Sequence, residues 1–135
     1  MSGTEALIYE TLLARAKEAA TGAYAPYSGL KVGAALLTAG GDIITGCNIE
    51  NASYGLSMCA ERVALFTAVS GGKKDIAAIA LHAGSPLTPC GACRQVMAEL
   101  APKAHVVTRS EKGEIQVKKV GDLLPHAFTL KKNCP

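Results

Sequence analysis

Three cysteines and one glutamate form two short motifs of a kind that binds metal ions. Cys59 and Glu61 stand two residues apart, and Cys90 and Cys93 follow later in the chain as Pro-Cys-Gly-Ala-Cys. Cysteine thiolates are preferred ligands of zinc, and a closed structural site takes four protein ligands, whereas a catalytic site takes three and keeps a position for water. Three cysteines beside a carboxylate therefore predict a zinc site that can carry out a reaction.

Both cysteine motifs stand at the predicted starts of helices. Cys90 and Cys93 share one helix face near the first turn, where free N–H groups and the helix dipole stabilise thiolates. Cys59 opens another helix, and helix starts in a crossover fold meet beyond the carboxyl ends of neighbouring strands. We therefore expect the three sulfurs to converge. Arg62 is placed to donate hydrogen bonds to them and to offset their negative charge.

Two other interpretations of the cysteines stay open. A thioredoxin-type redox pair would use only the second motif and gives no role to Cys59, Glu61 or Arg62. A closed four-cysteine site would add Cys47, which lies in an apolar strand, and would leave Glu61 unexplained. The odd count of five cysteines favours metal binding or catalysis over a disulfide framework. Cys134 is expected to be a free thiol without a catalytic role.

Length and composition predict a single domain, 1–135, in the cytoplasm. The chain has 135 residues, of which 49% are hydrophobic, enough for one core. Its net charge is only +3, 4% of its residues are aromatic, and no more than two basic residues are adjacent. This composition argues against a nucleic-acid partner. We expect no membrane partner either, because no cleavable leader and no apolar run of transmembrane length is found.

Hydrophobic patterns predict an α/β fold of three layers, α/β/α, in which helices cover both faces of a mixed five-stranded sheet. An alanine-rich helix from Ser2 to about Gly22 suits close packing on a flat sheet. The predicted strands span 31–38, 43–47, 76–81, 105–108 and 115–117. A Gly-Gly-Asp turn joins the first two strands into a hairpin, and the last strand is expected at an edge.

Two further helices carry the cysteines. The first follows Ser57 and Met58, either of which suits as its cap, and ends at a Gly-Gly pair. Its large apolar side chains, Val63, Phe66 and Val69, are predicted to face the core. The second begins with the threonine and proline that precede the cysteine pair, as N-cap and first helical residue, and ends before the next proline.

Taken together, these motifs resemble those of the zinc-dependent cytidine deaminases, in particular the small homotetrameric nucleoside form. Beyond the cysteine motifs, matching segments lie at 24–28, 31–35, 46–55, 94–95 and 124–125 and at Phe128, so the resemblance covers nearly the whole chain. The loop at 46–55 matches the nucleoside-binding segment of that family. The resemblance implies hydrolytic deamination of cytidine and 2'-deoxycytidine to the uridine nucleosides plus ammonia, in pyrimidine salvage.

The resemblance also implies roles for the residues around the metal. Zinc, one ion per subunit, is held by Cys59, Cys90 and Cys93, and its water attacks C4 of the pyrimidine. Glu61 moves protons from that water to N3 and to the departing amine. The backbone N–H of Ala60 hydrogen-bonds the base near the reacting centre.

Five more residues are implied to contact the nucleoside. Asn48 and Glu50 hold the ribose 3'-hydroxyl, one donating a hydrogen bond and one accepting. Leu30 stands where the family commonly has a phenylalanine that stacks on the pyrimidine, so this contact becomes aliphatic. Tyr54 and Phe128 reach the site of a neighbouring subunit, which implies a homotetramer with shared active sites. The alternative role of Phe128 is to anchor the C-terminal segment.

Three alternative functions stay open. A deaminase of a cytosine-containing antibiotic such as blasticidin S would share the zinc core, although the intact loop at 48–55 argues against it. Nucleotide and polynucleotide deaminases mostly use histidine as the first ligand, and polynucleotide editors need a basic or aromatic channel. A non-catalytic zinc-binding domain would require a closed metal site. Release of ammonia from cytidine distinguishes these functions.

Overall fold

A five-stranded mixed sheet with helices on both faces forms the centre of the computed structural model, which describes residues 1–133. The helices are α1 (Gly3–Ala20), α2 (Ala60–Ser70), α3 (Gly91–Leu100) and the short α4 (Val120–Leu123). The strands are β1 (Gly33–Thr38), β2 (Ile43–Cys47), β3 (Ile76–His82), β4 (His105–Arg109) and β5 (Ile115–Lys119). Cys134, expected to be a free thiol, lies outside the described residues.

The sheet has the strand order β2-β1-β3-β4-β5. Strand β1 is antiparallel to both of its neighbours, β3 and β4 run parallel, and β5 closes one edge antiparallel to β4. Helices α2 and α3 connect β2 to β3 and β3 to β4, so both helices start after the carboxyl ends of parallel strands. The predicted α/β/α fold is confirmed, and each strand begins and ends within two residues of its predicted range. Within residues 1–133 no helix is long and apolar enough to cross a membrane.

Glycines let the helices lie directly against the strands. A Cβ atom at Gly33 in β1 would lie 1.8 Å from the carbonyl oxygen of Ala16 in α1. On the other face, a Cβ atom at Gly46 in β2 would lie 2.5 Å from the backbone nitrogen of Ala64 in α2. Only glycine allows backbones to approach this closely. The close packing predicted from the alanines of α1 is therefore present on both faces of the sheet.

Helix α2 buries a different face from the one predicted. Phe66 and Val69 are 43% and 54% exposed, and Val63 is only partly buried, so the prediction that these side chains face the core is wrong. The apolar residues buried on this helix are Ala60, Ala64, Leu65 and Ala68. The contact with Gly46 favours the alanine face, because a larger side chain there would separate the helix from the strand.

Helix α2 begins one or two residues later than predicted. Met58 forms an isolated β-bridge with Ile49, and backbone hydrogen bonds of 3.0 and 2.8 Å join the two residues. This bridge holds Met58 in an extended conformation, so neither Ser57 nor Met58 is the N-cap. That position belongs to Cys59, and the bridge therefore fixes the backbone directly before the first predicted metal ligand.

Helix α3 also begins at a cysteine. Cys90 is the N-cap, and its sulfur accepts a hydrogen bond from the Cys93 N–H at 3.4 Å. The prediction of Thr88 as N-cap and Pro89 as first helical residue is wrong, because the Thr88 hydroxyl accepts a hydrogen bond from Arg94 instead. Both cysteine motifs thus place one cysteine at a helix N-cap, next to the free N–H groups of the first turn.

Candidate active site

The sulfur atoms of Cys59, Cys90 and Cys93 lie within 4.8 Å of one another, and those of Cys59 and Cys90 are 3.9 Å apart. Four ligands arranged tetrahedrally at 2.3 Å from zinc stand roughly 3.8 Å apart. The sulfur spacing therefore fits zinc with only small adjustments. Among the described residues Cys47 does not join the cluster, which removes the four-cysteine alternative. The position of Cys59 beside the pair argues against the redox alternative, which gives that sulfur no role.

Positive groups surround the sulfurs. The Nη2 atom of Arg62 donates a hydrogen bond to the Cys59 sulfur at 3.4 Å, and the N–H of Cys93 donates to the Cys90 sulfur. Both N-cap cysteines also lie at the positive ends of their helix dipoles. These interactions favour the thiolate form, which is the form that binds metal.

The contact between Cys59 and Cys93 shifts the pKa values of the two thiols in opposite directions. The pKa of Cys59 falls to about 5 because Cys93 donates a hydrogen bond to its sulfur, with a further contribution from Arg62. The same contact and burial raise the pKa of Cys93. Of these two thiols, Cys59 therefore ionises first, which gives an incoming cation a charged ligand at the start of α2.

Glu61 places a carboxyl group beside the cluster. It lies in the first turn of α2, is only 4% exposed, and lines the same cavity as Cys59 and Cys90. Burial raises the pKa of Glu61. A buried carboxyl whose pKa is shifted toward neutrality can accept and return a proton within one turnover, which is the requirement for general acid-base catalysis.

A cavity of about 320 Å³ opens in front of the sulfurs and the carboxyl group. Its size lies at the lower end of the range for small-molecule sites. It is lined by Leu30, Val32, Asn48, Glu50, Tyr54, Ser57, Met58, Cys59, Ala60, Glu61, Leu87, Thr88 and Cys90. Among residues 1–133, the lining side chains include two carboxylates and neither lysine nor arginine, so none of them would neutralise a phosphate group.

Asn48 lies at this cavity and orders one of its walls. Its Oδ1 accepts the Val32 N–H at 2.8 Å, and its Nδ2 donates to the Leu30 carbonyl oxygen at 2.7 Å. The amide thus holds the backbone on both sides of residue 31 and fixes Leu30 at the cavity. One amide hydrogen and one lone pair of the side chain are left over for a ligand.

Glu50 orders the preceding part of the same wall. Its Oε1 accepts the N–H groups of Tyr27 and Ser28 at 3.0 and 3.1 Å, and its Oε2 accepts the Ser28 hydroxyl. The hydrogen bond from the Ser28 side chain is the main reason that the pKa of Glu50 is lowered. Glu50 is therefore an ionised acceptor held in one orientation.

Tyr54 and Phe128, both predicted to contact substrate, occupy different positions relative to the cavity of a single chain. Tyr54 lines the cavity of its own chain and is 75% exposed. Phe128 is 68% exposed and is not among the lining residues, and its carbonyl oxygen accepts a hydrogen bond from Gln95 at 3.0 Å. Within one chain the structure thus brings Tyr54, but not Phe128, to the cavity.

Sequence reasoning missed several residues of the cavity wall. Val32, Ser57, Met58, Leu87 and Thr88 line it, although the sequence predicts no ligand contact for any of them. The signal available for the last two was their position directly before the Pro-Cys motif. The other three lie one or two residues from Leu30 or Cys59, but only the fold shows that they reach the cavity.

Comparison with known proteins agrees with this geometry. The family model described as the cytidine and deoxycytidylate deaminase zinc-binding region matches residues 8–109. A cytidine deaminase of Halalkalibacterium halodurans is 54% identical over 123 residues, covering 89% of this chain and 93% of the relative. The crystal structure of a cytidine deaminase from Burkholderia pseudomallei superimposes with a TM-score of 0.84 at 50% identity, covering 95% of this chain and 100% of that one. The chain belongs to the cytidine deaminase family.

A blasticidin-S deaminase of Bacillus cereus is a more distant relative. It is 32% identical over 108 residues, covering 73% of this chain and 76% of the relative. The antibiotic-specific alternative thus shares the framework but has the weaker similarity.

Proposed function

We propose that this protein hydrolyses the C4 amino group of cytidine and 2'-deoxycytidine, giving uridine and 2'-deoxyuridine plus ammonia in pyrimidine salvage. The observation that carries the proposal is the shared cavity, in which the buried Glu61 carboxyl group stands beside the three clustered sulfurs. A proton-transferring group and a metal-ligand set that meet in a cavity of nucleoside size support hydrolysis rather than structural metal binding.

One Zn²⁺ per subunit would be held by Cys59, Cys90 and Cys93. When bound, zinc supplies a water molecule of lowered pKa as the nucleophile for C4. Three thiolates make that water less acidic than neutral ligands would, and Arg62 partly offsets their charge by donating to the Cys59 sulfur. Arg62 therefore contributes to the reaction through a ligand, without touching the substrate.

Glu61 would transfer the protons. It would take one proton from the attacking water and deliver it to N3 of the base. As the C4 carbonyl forms, it would take the second proton of the same oxygen and deliver it to the amine, which leaves as ammonia. Its burial supports this role, because the pKa of an exposed glutamate is too low for it to hold a proton near neutral pH. The Ala60 N–H, in the first turn of α2 and without an intrahelical acceptor, would hydrogen-bond the base.

The remaining cavity residues would bind the sugar and the flat side of the base. Asn48 would donate its second amide hydrogen to the ribose 3'-hydroxyl, and Glu50 would accept the hydroxyl hydrogen. Leu30 and Tyr54 would cover the base with apolar surface. The lack of a lysine or arginine among the lining residues favours a nucleoside over a nucleotide, because a phosphate group would meet only carboxylates.

The functional unit in this proposal is a homotetramer with shared active sites. Ile49, Leu56 and Phe66 are each more than 40% exposed and line one groove beside α2. An apolar groove of this kind suits a second copy of the chain. Phe128, which is exposed and does not line the cavity of its own chain, would reach the site of a neighbouring subunit.

The proposed location of the protein is the cytoplasm. Four free thiols among the described residues fit the reducing environment there.

The test is an assay for ammonia release and absorbance loss with cytidine, 2'-deoxycytidine, CMP and blasticidin S as substrates. The two nucleosides should react fastest. Glu61→Gln should lower kcat by about 10²- to 10⁴-fold with unchanged zinc content, whereas Glu99→Gln, a change at an exposed site on α3, should have no effect. Preference for blasticidin S would favour the runner-up. Zinc binding without turnover of any substrate would indicate a non-catalytic domain.

A further inference from the structure

We propose that Arg94 is a positioning residue that fixes the loop carrying Cys90 and thereby sets the affinity of the site for zinc. This inference rests on the proposed zinc site and adds to it a residue that touches neither the metal cluster nor the cavity. Arg94 lies in the first turn of α3, directly after Cys93.

The guanidinium group of Arg94 uses all three of its nitrogens. Nε donates to the Pro89 carbonyl oxygen at 2.8 Å, Nη2 donates to the Thr88 hydroxyl at 2.9 Å, and Nη1 donates to the Leu123 carbonyl oxygen at 2.9 Å. Hydrogen bonds from a charged donor are stronger than neutral ones, and the planar fork of arginine holds its acceptors in a fixed geometry. One side chain thus joins α3, the residues before Cys90, and the C-terminal end of α4.

The backbone before Cys59 is held by a β-bridge, whereas the loop before Cys90 is held by the side chain of Arg94. Met58, next to Cys59, is held by the β-bridge to Ile49. Residues 83–90 form no helix, strand or bridge, and Pro89 has no N–H group with which to make one. Cys90 is also the exposed member of the sulfur cluster. The two hydrogen bonds that Arg94 donates to Thr88 and Pro89 therefore take the place of the bridge on this side of the site, and the third anchors Arg94 to the end of α4.

The same contact shapes the cavity. Thr88 and Cys90 both line it, and Arg94 holds Thr88 and the carbonyl group of Pro89 between them. A lysine at position 94 would keep the positive charge but could not reach three separate acceptors in one plane. Arg94→Lys should therefore loosen the loop while leaving charge and helix propensity nearly unchanged.

The experiment compares wild-type protein with Arg94→Lys and with the control Arg109→Lys. Like Arg94, Arg109 is held by several acceptors, which are the carboxylate of Glu10 and the carbonyl oxygen of Gly113. It does not line the active-site cavity. Zinc affinity is measured by competition with a chromophoric chelator. The cobalt-substituted proteins report ligand geometry through the sulfur-to-cobalt charge-transfer band, and unfolding midpoints are recorded after zinc removal.

Arg94→Lys should bind zinc about 10- to 100-fold more weakly and shift the charge-transfer band, while Arg109→Lys matches the wild type in both. Zinc affinity within about twofold of wild type would overturn the proposal. Equal losses of zinc affinity in Arg94→Lys and Arg109→Lys would also overturn it. So would a loss of zinc affinity that is fully explained by a lower unfolding midpoint of the zinc-free protein. If Arg94→Lys does not fold, Thr88→Val, which removes one acceptor, should show a smaller shift in the same direction, and its absence overturns the proposal. Failure of the wild type to bind zinc would instead reject the proposed function.

Discussion

Ser28 and Glu50 are joined by two hydrogen bonds, from the Ser28 N–H to Oε1 at 3.1 Å and from the Ser28 hydroxyl to Oε2. The same hydroxyl oxygen accepts the Leu30 N–H at 3.0 Å. One small side chain therefore connects the carboxylate proposed to bind the ribose with the backbone of the residue proposed to cover the base. Both parts of the nucleoside site are held in place by this connection before any ligand arrives.

Ser28→Ala should weaken nucleoside binding more than it slows the chemical step. The substitution removes a donor to Glu50 and the acceptor of the Leu30 N–H, but it leaves Glu61 and the cysteines untouched. KM for cytidine should rise by at least about 3- to 10-fold, the effect of losing one of these two hydrogen bonds, with kcat nearly unchanged. Steady-state kinetics test this, with Ser53→Ala as control because the Ser53 side chain makes no capping hydrogen bond. A fall in kcat at constant KM would contradict it.

The pH dependence of KM should change in the same variant. Glu50 must be ionised to accept the ribose hydroxyl, and the hydrogen bond from Ser28 lowers the pKa of its carboxyl group. In the wild type the ionised form therefore persists to lower pH. Ser28→Ala raises the pKa again, so KM should begin to rise at a higher pH as the solution is acidified. Superimposable profiles of KM against pH would show that Glu50 does not bind the sugar as an ionised acceptor.

Arg62 should affect both the metal and the reaction. Its Nη2 donates to the Cys59 sulfur at 3.4 Å, and its buried Nε has no hydrogen-bond partner among residues 1–133. Among residues 1–133 Arg62 is the only positively charged side chain that donates a hydrogen bond to this sulfur, and Arg62→Ala removes it. We expect zinc affinity or turnover to fall about 10- to 100-fold. Zinc titration and turnover measured on the same preparation test this, and retention of both would exclude the role.

Gly33→Ala should strongly destabilise the fold. The new Cβ would lie 1.8 Å from the carbonyl oxygen of Ala16, so α1 and β1 would have to move apart. Overpacking of this kind costs about 1–3 kcal/mol and sometimes more. Gly3→Ala, where a Cβ meets nothing within 4 Å, serves as the control and should leave stability equal or slightly higher. Denaturant midpoints give the comparison, and a neutral Gly33→Ala would mean that the helix can shift without loss.

The sequence predicted those features that depend on local pattern. The hairpin of β1 and β2 follows from two apolar runs and a glycine turn, and α1 follows from its alanine-rich periodicity. The ends of α2 and α3 follow from the glycine pair and the proline that come after them. The face that α2 buries could not be predicted, because it depends on Gly46 in another element and not on the size of Phe66. The start of α2 likewise depends on the distant Ile49, which pairs with Met58.

The candidate site also has features that the sequence predicts and features that it does not. Residue type and spacing were enough to predict that Cys59, Cys90 and Cys93 converge, since each sits at a helix start. Spacing gave no indication that Glu50 and Asn48 also hold the backbone of 27–32, because those hydrogen bonds connect segments that meet only in the folded sheet. Long-range polar contacts of this kind have no signature in one sequence.

Sharing of the active site between subunits should be visible by complementation. Phe128→Ala subunits keep Glu61 but lack the aromatic ring proposed to enter a neighbouring site, whereas Glu61→Gln subunits keep Phe128 but cannot transfer protons. When the two are unfolded together and reassembled, hybrid oligomers contain sites with Glu61 from one subunit and Phe128 from the other. At cytidine concentrations below the wild-type KM, the activity of the mixture should therefore exceed the sum of the activities of the separate variants.

A mixture of Phe128→Ala with Glu61→Gln/Phe128→Ala, which has no intact ring to contribute, is the matched control. If both mixtures give only the summed activity, Phe128 does not enter a neighbouring site, and its exposed position instead reflects an anchor for the C-terminal segment held by Gln95.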